Sequence, residues 1–148
     1  MSLRNAAYEE GQTIILVIGY VVIALLAVSA TLAATLVNTE ARRLLSVADG
    51  AVAAAADSYS VSGAKGRNGV GLALTDGAVR GDVSGYLSDT GAAARFDGLG
   101  VVAAGATGDG TTAYVRLRAT VRPPIVGWFV PAGIPIHVES NARTILTR

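Results

Sequence analysis

Side chains that could catalyse a reaction or bind a metal are few in this sequence and lie far apart. The 148 residues contain no cysteine and one histidine, His137, which excludes disulfides, thiolate chemistry and cysteine-based zinc sites. The seven aspartates are dispersed, and most of them adjoin glycine, as turn residues do. No acid pair has a spacing suited to general acid–base catalysis. We therefore expect no enzyme, with no catalytic residues, no cofactor and no bound metal.

Binding of phosphate or nucleic acid has little support either. The segment GAKGRNGVG (63–71) is rich in glycine, but it lacks the P-loop spacing and follows no predicted strand, so we interpret it as a loop. The net charge is +1 and the twelve basic residues are scattered, which gives no electrostatic basis for a nucleic-acid partner. His137 alternates with the apolar positions of its predicted strand and is expected to face solvent.

The strongest feature of the sequence is an uncharged run of 25 residues from Thr13 to Val37. As a helix it would extend roughly 37 Å, enough to cross a hydrocarbon core of about 30 Å. The alternatives are a buried helix of a soluble protein, for which so long an uncharged run is unusual, and a signal peptide cleaved after Ala30, where AVSA (27–30) offers small residues. However, the run continues beyond Ala30, and the leader (1–12) carries two glutamates and a single arginine. We interpret residues 13–37 as an uncleaved transmembrane helix.

One face of this predicted span is formed by small side chains. Ala27 and Thr31 lie four residues apart, as do Ala30 and Ala34, and small residues at this spacing allow helices to approach closely in lipid. We assign these four residues and Gly19 to helix packing in an assembly. The alternative is that small residues are simply common in this chain.

One continuous helix is predicted, which begins at about Gln12 and continues beyond the membrane to about Ser58, because no proline occurs before Pro123. Apolar positions recur at helical spacing through this amphipathic stalk (38–59), so one face must pack on the rest of the chain. Gly50 weakens the helix without necessarily ending it. The predicted packing face comprises Ala41, Leu44, Ala48, Val52, Ala55 and Tyr59, widened by Leu45, Ala51 and Ala56.

Residues 60–148 are predicted to form a small head. It begins with a glycine-rich connector (60–81) and a short helix within 82–96, capped by Asp82 or Ser84. Alternating patterns predict strands at 98–106, 111–122 and 134–147, and an Asp-Gly turn joins the first two. The stalk is the available cover for their apolar face. The predicted fold class is therefore α+β, a long N-terminal transmembrane and stalk helix packing on a small antiparallel sheet.

The connection PPIVGWFVPAGIP (123–135) is very apolar and contains all four prolines of the chain. Two interpretations remain open. It is either a crossover that fills the core or a loop that contacts another subunit or the membrane interface. The residues assigned to such an interface loop are Ile125, Trp128 and Phe129.

Three segments carry a resemblance to a known family. Gly11-Gln12 opens the apolar run, Arg42 to Asp57 contains an alanine-rich tract after two arginines, and GIPIHVESNARTIL (133–146) forms the last predicted strand. In these segments the chain resembles the Tad-type (Flp) pilus-assembly proteins of the TadE/TadG group. The resemblance covers about 50 residues well and the head loosely. The tract consists of Ala48, Asp49, Ala51, Val52, Ala53, Ala54 and Ala55.

The resemblance implies a pilin-like or minor-pilin protein, single-pass in the cell membrane or part of a surface filament, with its head outside the cytoplasm. Its partners would be the membrane, other pilus subunits or assembly proteins, and copies of itself. Gly11 and Ala30 are the candidate processing positions. Pilins carry a glutamate five residues after the cut, whereas the fifth residue after Gly11 is Leu16. The alternatives are a cleaved secreted or envelope-anchored binding protein and an accessory subunit of another envelope complex.

Overall fold

The structure is a computed structural model that describes residues 3–65, 74–108, 110–124, 127 and 130–143, with only the backbone described in 3–11 and 59–65. Helix α1 (Leu3–Lys65) is followed by α2 (Asp76–Asp89) and α3 (Ala92–Arg95), and then by the strands β1 (Gly100–Ala106), β2 (Thr112–Val121) and β3 (Ile134–Arg143). The predicted α+β arrangement, with a long N-terminal helix on a three-stranded antiparallel sheet, is confirmed.

Helix α1 is longer than the sequence predicted. It contains 63 residues, which corresponds to roughly 95 Å, and it extends beyond both predicted ends, Gln12 and Ser58. At the N-terminal end the additional residues include arginine, alanines and glutamates, which favour helix as strongly as the apolar run does. The change from polar to apolar sequence therefore does not coincide with a helix boundary.

The sheet has the order β1-β2-β3, so β2 lies at its centre and both of its pairings are antiparallel. The alternation predicted for β2 is correct, because Ala113, Val115, Leu117 and Ala119 are buried and the arginines between them are exposed. The register of β1 against β2 shifts between Val101 and Ala103, a β-bulge that simple alternation does not predict.

Helices α1 and α2 both pack on the sheet, α1 against β2 and β3 and α2 against β1. The buried core lies between these layers and is built from small and branched side chains. Its described members include Leu44, Val47, Ala48, Ala51, Val52 and Ala55 of α1, Val79 and Val83 of α2, and Val115, Leu117 and Ile136 of the sheet.

The prediction for the second helix was wrong in its start and its cap. Helix α2 begins at Asp76, and the hydroxyl of Thr75 caps it by accepting a hydrogen bond from the Ala78 amide at 3.4 Å. Asp82 and Ser84 lie inside the helix instead. Glycines within α2 lower its intrinsic propensity, but burial of its valines compensates, and an N-cap threonine replaces the expected caps.

One residue of the predicted packing face is also misplaced. Leu45 was expected to widen the buried face of the stalk, yet it is 39% exposed, whereas Val47 is buried. Leu45 lies about 100° around the helix from Leu44. The head covers that side of α1 only further along the chain, where Val52 and Ala56 are buried. Two further predictions, for Tyr59 and for the three residues of the interface loop, concern side chains outside the described part of the chain.

Candidate functional site

The most apolar part of α1 has no cover among the described residues. Its most apolar 18-residue window has a mean hydropathy of 2.7 and none of it is buried. Large side chains from Ile14 to Leu36 are between 42% and 72% exposed. This is the one described helix that is long and apolar enough to cross a membrane. An apolar surface of this extent calls for lipid or another protein against it.

All five residues assigned to helix packing lie on the exposed part of α1. A Cβ built at Gly19 would meet no atom within 4 Å, so this glycine leaves open space on the surface of the isolated chain. Small side chains reduce the separation that a neighbouring helix must keep. The positions exposed in this way are Gly19, Ala27, Ala30, Thr31 and Ala34.

Hydroxyl groups on this part of α1 bond back to their own helix. The hydroxyl of Thr31 donates to the carbonyl of Ala27 at 2.9 Å, and Thr35 and Thr39 repeat the contact one turn later each. Their protons are therefore already used inside the helix. What the surface offers to a neighbour is methyl groups and small side chains, so lateral contact would depend on steric fit.

The stalk half of α1 is the central element of the head. Leu44, Ala48, Val52 and Ala55 are each at most 1% exposed, and they belong to the same buried cluster as the inner face of β2. Ala41 is partly buried against it. The structure thus brings together four of the residues that the sequence assigned to stalk–head packing. The same helix leads directly into the exposed apolar run.

Two polar contacts, neither of which the sequence indicates, connect α1 to β3 and to α2. Ser140 lies on the inner face of β3, where it is 9% exposed, and its hydroxyl donates to the carboxylate of Asp49 at 2.5 Å. The hydroxyl of Ser58 donates to the carboxylate of Asp82 at 2.6 Å and so joins α1 to α2. A serine on the apolar side of a strand was the only sequence signal for the first contact.

Gly50 is also a packing residue. A Cβ at this position would overlap the hydroxyl oxygen of Tyr86 and lie 2.7 Å from its Cζ. The Tyr86 ring of α2 therefore lies directly against the backbone of α1, and a larger residue at position 50 would require the ring to move. The sequence signal was a glycine inside an otherwise strong helix.

Two open clefts lie at the end of the head nearest the apolar run. One, of about 340 Å³, is lined by Leu36, Arg122 and Pro124, and the other, of about 530 Å³, by Arg43 and Val47. Glu40, Arg95 and Phe96 line both. The connection from β2 to β3 leaves the sheet at this end, because Pro123 and Pro124 border the first cleft.

The described part of the chain holds no cluster of acidic, histidine or cysteine residues that could bind a metal ion. His137 is exposed on β3 opposite Arg118, as the alternation predicted. Arg116 pairs with Glu139 at 2.6 Å on the outer face of the sheet, where both side chains are about half exposed. Such an exposed pair contributes about 0–1 kcal/mol of stability.

The geometry therefore offers surfaces for contact, namely the uncovered apolar run, its small-residue face and the clefts above it. Gly11 lies within α1, and Ala30 lies within its exposed apolar run. A comparison of the chain with models of protein families, with curated proteins and with solved structures finds no match in any of the three.

Proposed function

We propose that this protein is a single-pass, pilin-like subunit of a surface filament, of the Tad (Flp) pilus type, that acts by packing its helix laterally against those of other subunits. One observation supports this most strongly. Helix α1 continues without a break from an exposed apolar run to the buried centre of the head. The helix that would contact neighbouring subunits in the membrane is therefore the same helix that forms the centre of the head, as lateral assembly of whole subunits requires.

The proposed membrane arrangement follows from the same helix. Residues 13–37 cross the bilayer and the head lies outside the cytoplasm. Arg42 and Arg43 would favour the opposite orientation, but a following domain of about 90 residues outweighs two charges. In the otherwise cysteine-free chain, a cysteine at the exposed position of Arg80 (Arg80→Cys) should react with a membrane-impermeant maleimide added to intact spheroplasts. Labelling only after lysis would contradict this orientation.

Lateral assembly can be tested on the small-residue face. The double variant Ala27→Leu with Ala30→Leu raises hydropathy, so membrane insertion should be unaffected. The larger side chains hold neighbouring backbones apart, and lipid gives no hydrophobic drive to compensate. We expect loss of self-association in cross-linking or a membrane two-hybrid assay at matched expression.

A matched control adds similar bulk elsewhere on the span. Ser29 and Ala33 lie roughly 120° around α1 from the small-residue face, at 100° per residue. The variant Ser29→Leu with Ala33→Leu should insert and associate as the wild-type protein does. If the two double variants associate to the same extent, the small-residue face has no special role in association. The filament-subunit proposal then loses its support.

A secreted binding protein is the second candidate, and one structural observation favours keeping it. The residues of α1 that pack in or against the core begin at Val37, so cleavage after Ala30 would leave every helix contact of the head intact. The intact mass of the native protein separates the two candidates. Full length, or loss of residues 1–11, agrees with a membrane subunit, and loss of residues 1–30 agrees with secretion.

A further inference from the structure

The first of these clefts, which Leu36 lines, is at the depth of lipid headgroups if α1 crosses a bilayer. A hydrocarbon core of about 30 Å requires roughly 20 helical residues, and each headgroup layer adds about 5–8 Å. Leu36, at the end of the apolar run, lines the first cleft together with Glu40, one turn further along α1. That turn corresponds to about 6 Å, which is the thickness of the headgroup layer.

The charges around these clefts are unequally paired. Arg43 bonds to Glu40 at 2.9 Å, and Arg122 bonds to Asp97 at 2.8 Å. Both acids at the clefts therefore have a basic partner. Arg95, at the end of α3, lines both clefts, is exposed, and forms no ion pair with any described residue. The side chains that line the clefts therefore have one excess positive charge, the guanidinium group of Arg95.

Apolar side chains lie beside Arg95 among polar ones. Leu36 and Pro124 border the first cleft, and Phe96 lines both. An arginine presents several N–H donors in a plane that matches a phosphate group. A phospholipid offers a phosphate at headgroup depth and apolar chains below it, which match Arg95 and Leu36 in the first cleft.

We propose that the first cleft forms a binding site for the headgroup of an anionic phospholipid, with the phosphate bound by Arg95. The ligand is a lipid of the same bilayer that α1 crosses. The inference rests on the transmembrane part of the proposed function and is independent of filament assembly. Occupancy of the site holds the head against the membrane surface and restricts its tilt.

The test uses the full chain, which contains no native cysteine. An environment-sensitive fluorophore is attached to the Ala94→Cys variant, because Ala94 is exposed and lines the first cleft. The protein is reconstituted into vesicles of phosphatidylcholine, to which phosphatidylglycerol is added in steps. We expect a blue shift that grows with the phosphatidylglycerol fraction and weakens with added salt.

A second substitution assigns this response to Arg95. Arg95→Gln should weaken the phosphatidylglycerol response about fivefold, the equivalent of the ~1 kcal/mol that one basic residue contributes near an anionic surface. The control is Arg80→Gln, which removes the same charge from an exposed position on α2 outside both clefts. The control should respond as the unsubstituted chain does.

Three results would overturn the inference. They are an emission that is indifferent to phosphatidylglycerol, equal responses of the two arginine variants, and a response that follows the protein-to-lipid ratio, which would indicate a second copy of the chain in the clefts. A flotation assay with the vesicles distinguishes failure of the lipid site from failure of the proposed membrane insertion. A chain that floats without a lipid response refutes the lipid site alone, whereas a chain that does not float refutes the transmembrane helix.

Discussion

Two adjacent leucines of α1 give a sharp test of how the stalk packs on the head. Leu44 is fully buried, whereas Leu45 is 39% exposed, and the two have the same side chain in the same helix. We predict that Leu44→Asp unfolds the head and that Leu45→Asp leaves it folded. Helix propensity changes equally in both variants, so the difference between them reports burial alone.

The expected magnitude follows from the two environments. Truncation of a fully buried leucine costs about 3–5 kcal/mol through lost transfer energy and the cavity that remains. A carboxyl group in that position adds a further few kcal/mol, since no basic group lies within the described core to pair with it. The sum is comparable to the roughly 5–15 kcal/mol that stabilises an ordinary domain. At Leu45 the cost should be about 1 kcal/mol, because the carboxylate stays hydrated.

The assay is urea denaturation of the full chain in detergent, followed by the resistance of the head to protease. We expect resistance at low urea for wild type and Leu45→Asp, with similar midpoints. Leu44→Asp should be digested without urea. Equal midpoints for both variants would refute the packing of this face of α1 on the sheet.

Two further predictions concern contacts between α1 and the rest of the head. Gly50→Ala should lower the free energy of unfolding by about 1–2 kcal/mol, because Tyr86 must move, although alanine favours helix. The control Gly85→Ala, where a Cβ meets nothing within 4 Å, should raise it by up to about 1 kcal/mol. Asp49→Ala should destabilise the head by about 1–3 kcal/mol because it leaves the buried hydroxyl of Ser140 unpaired, and Ser140→Ala should cost less since Asp49 is exposed and hydrated. Urea denaturation measures all four, and a larger loss for Ser140→Ala would contradict this account of the pair.

The parts of the fold that the sequence predicted are those with regular periodicity over many residues. The apolar run and the alternation of β2 each repeat a single pattern, and burial follows that pattern directly. Helix α2 was mislocated because glycines interrupt its pattern. Its position depends on Val79 and Val83 being buried by other elements, which local sequence does not reveal.

The contacts that were missed connect distant parts of the chain. Asp49 and Ser140 are separated by 91 residues, and no property of either residue indicates the other. Gly50 was interpreted as a weakness of the helix, whereas it makes room for Tyr86. In the sequence Arg95 is one of several scattered arginines, and only the fold shows that it lines two clefts. For the assembly face, periodicity identified the small residues, but it does not indicate which partner covers them.

The central claim is that the small-residue face of α1 meets its copies within the membrane, and cysteine cross-linking tests it most directly. Single cysteines are introduced one at a time from Val21 to Leu36 in the otherwise cysteine-free chain, and disulfide dimers are measured in native membranes after mild oxidation. The account predicts cross-linking that rises and falls with a period of about 3.6 residues, with maxima at Ala27, Ala30 and Ala34 and minima near Ser29 and Ala33. Cross-linking that is absent throughout, uniform along the span, or strongest at Ser29 and Ala33 would contradict it.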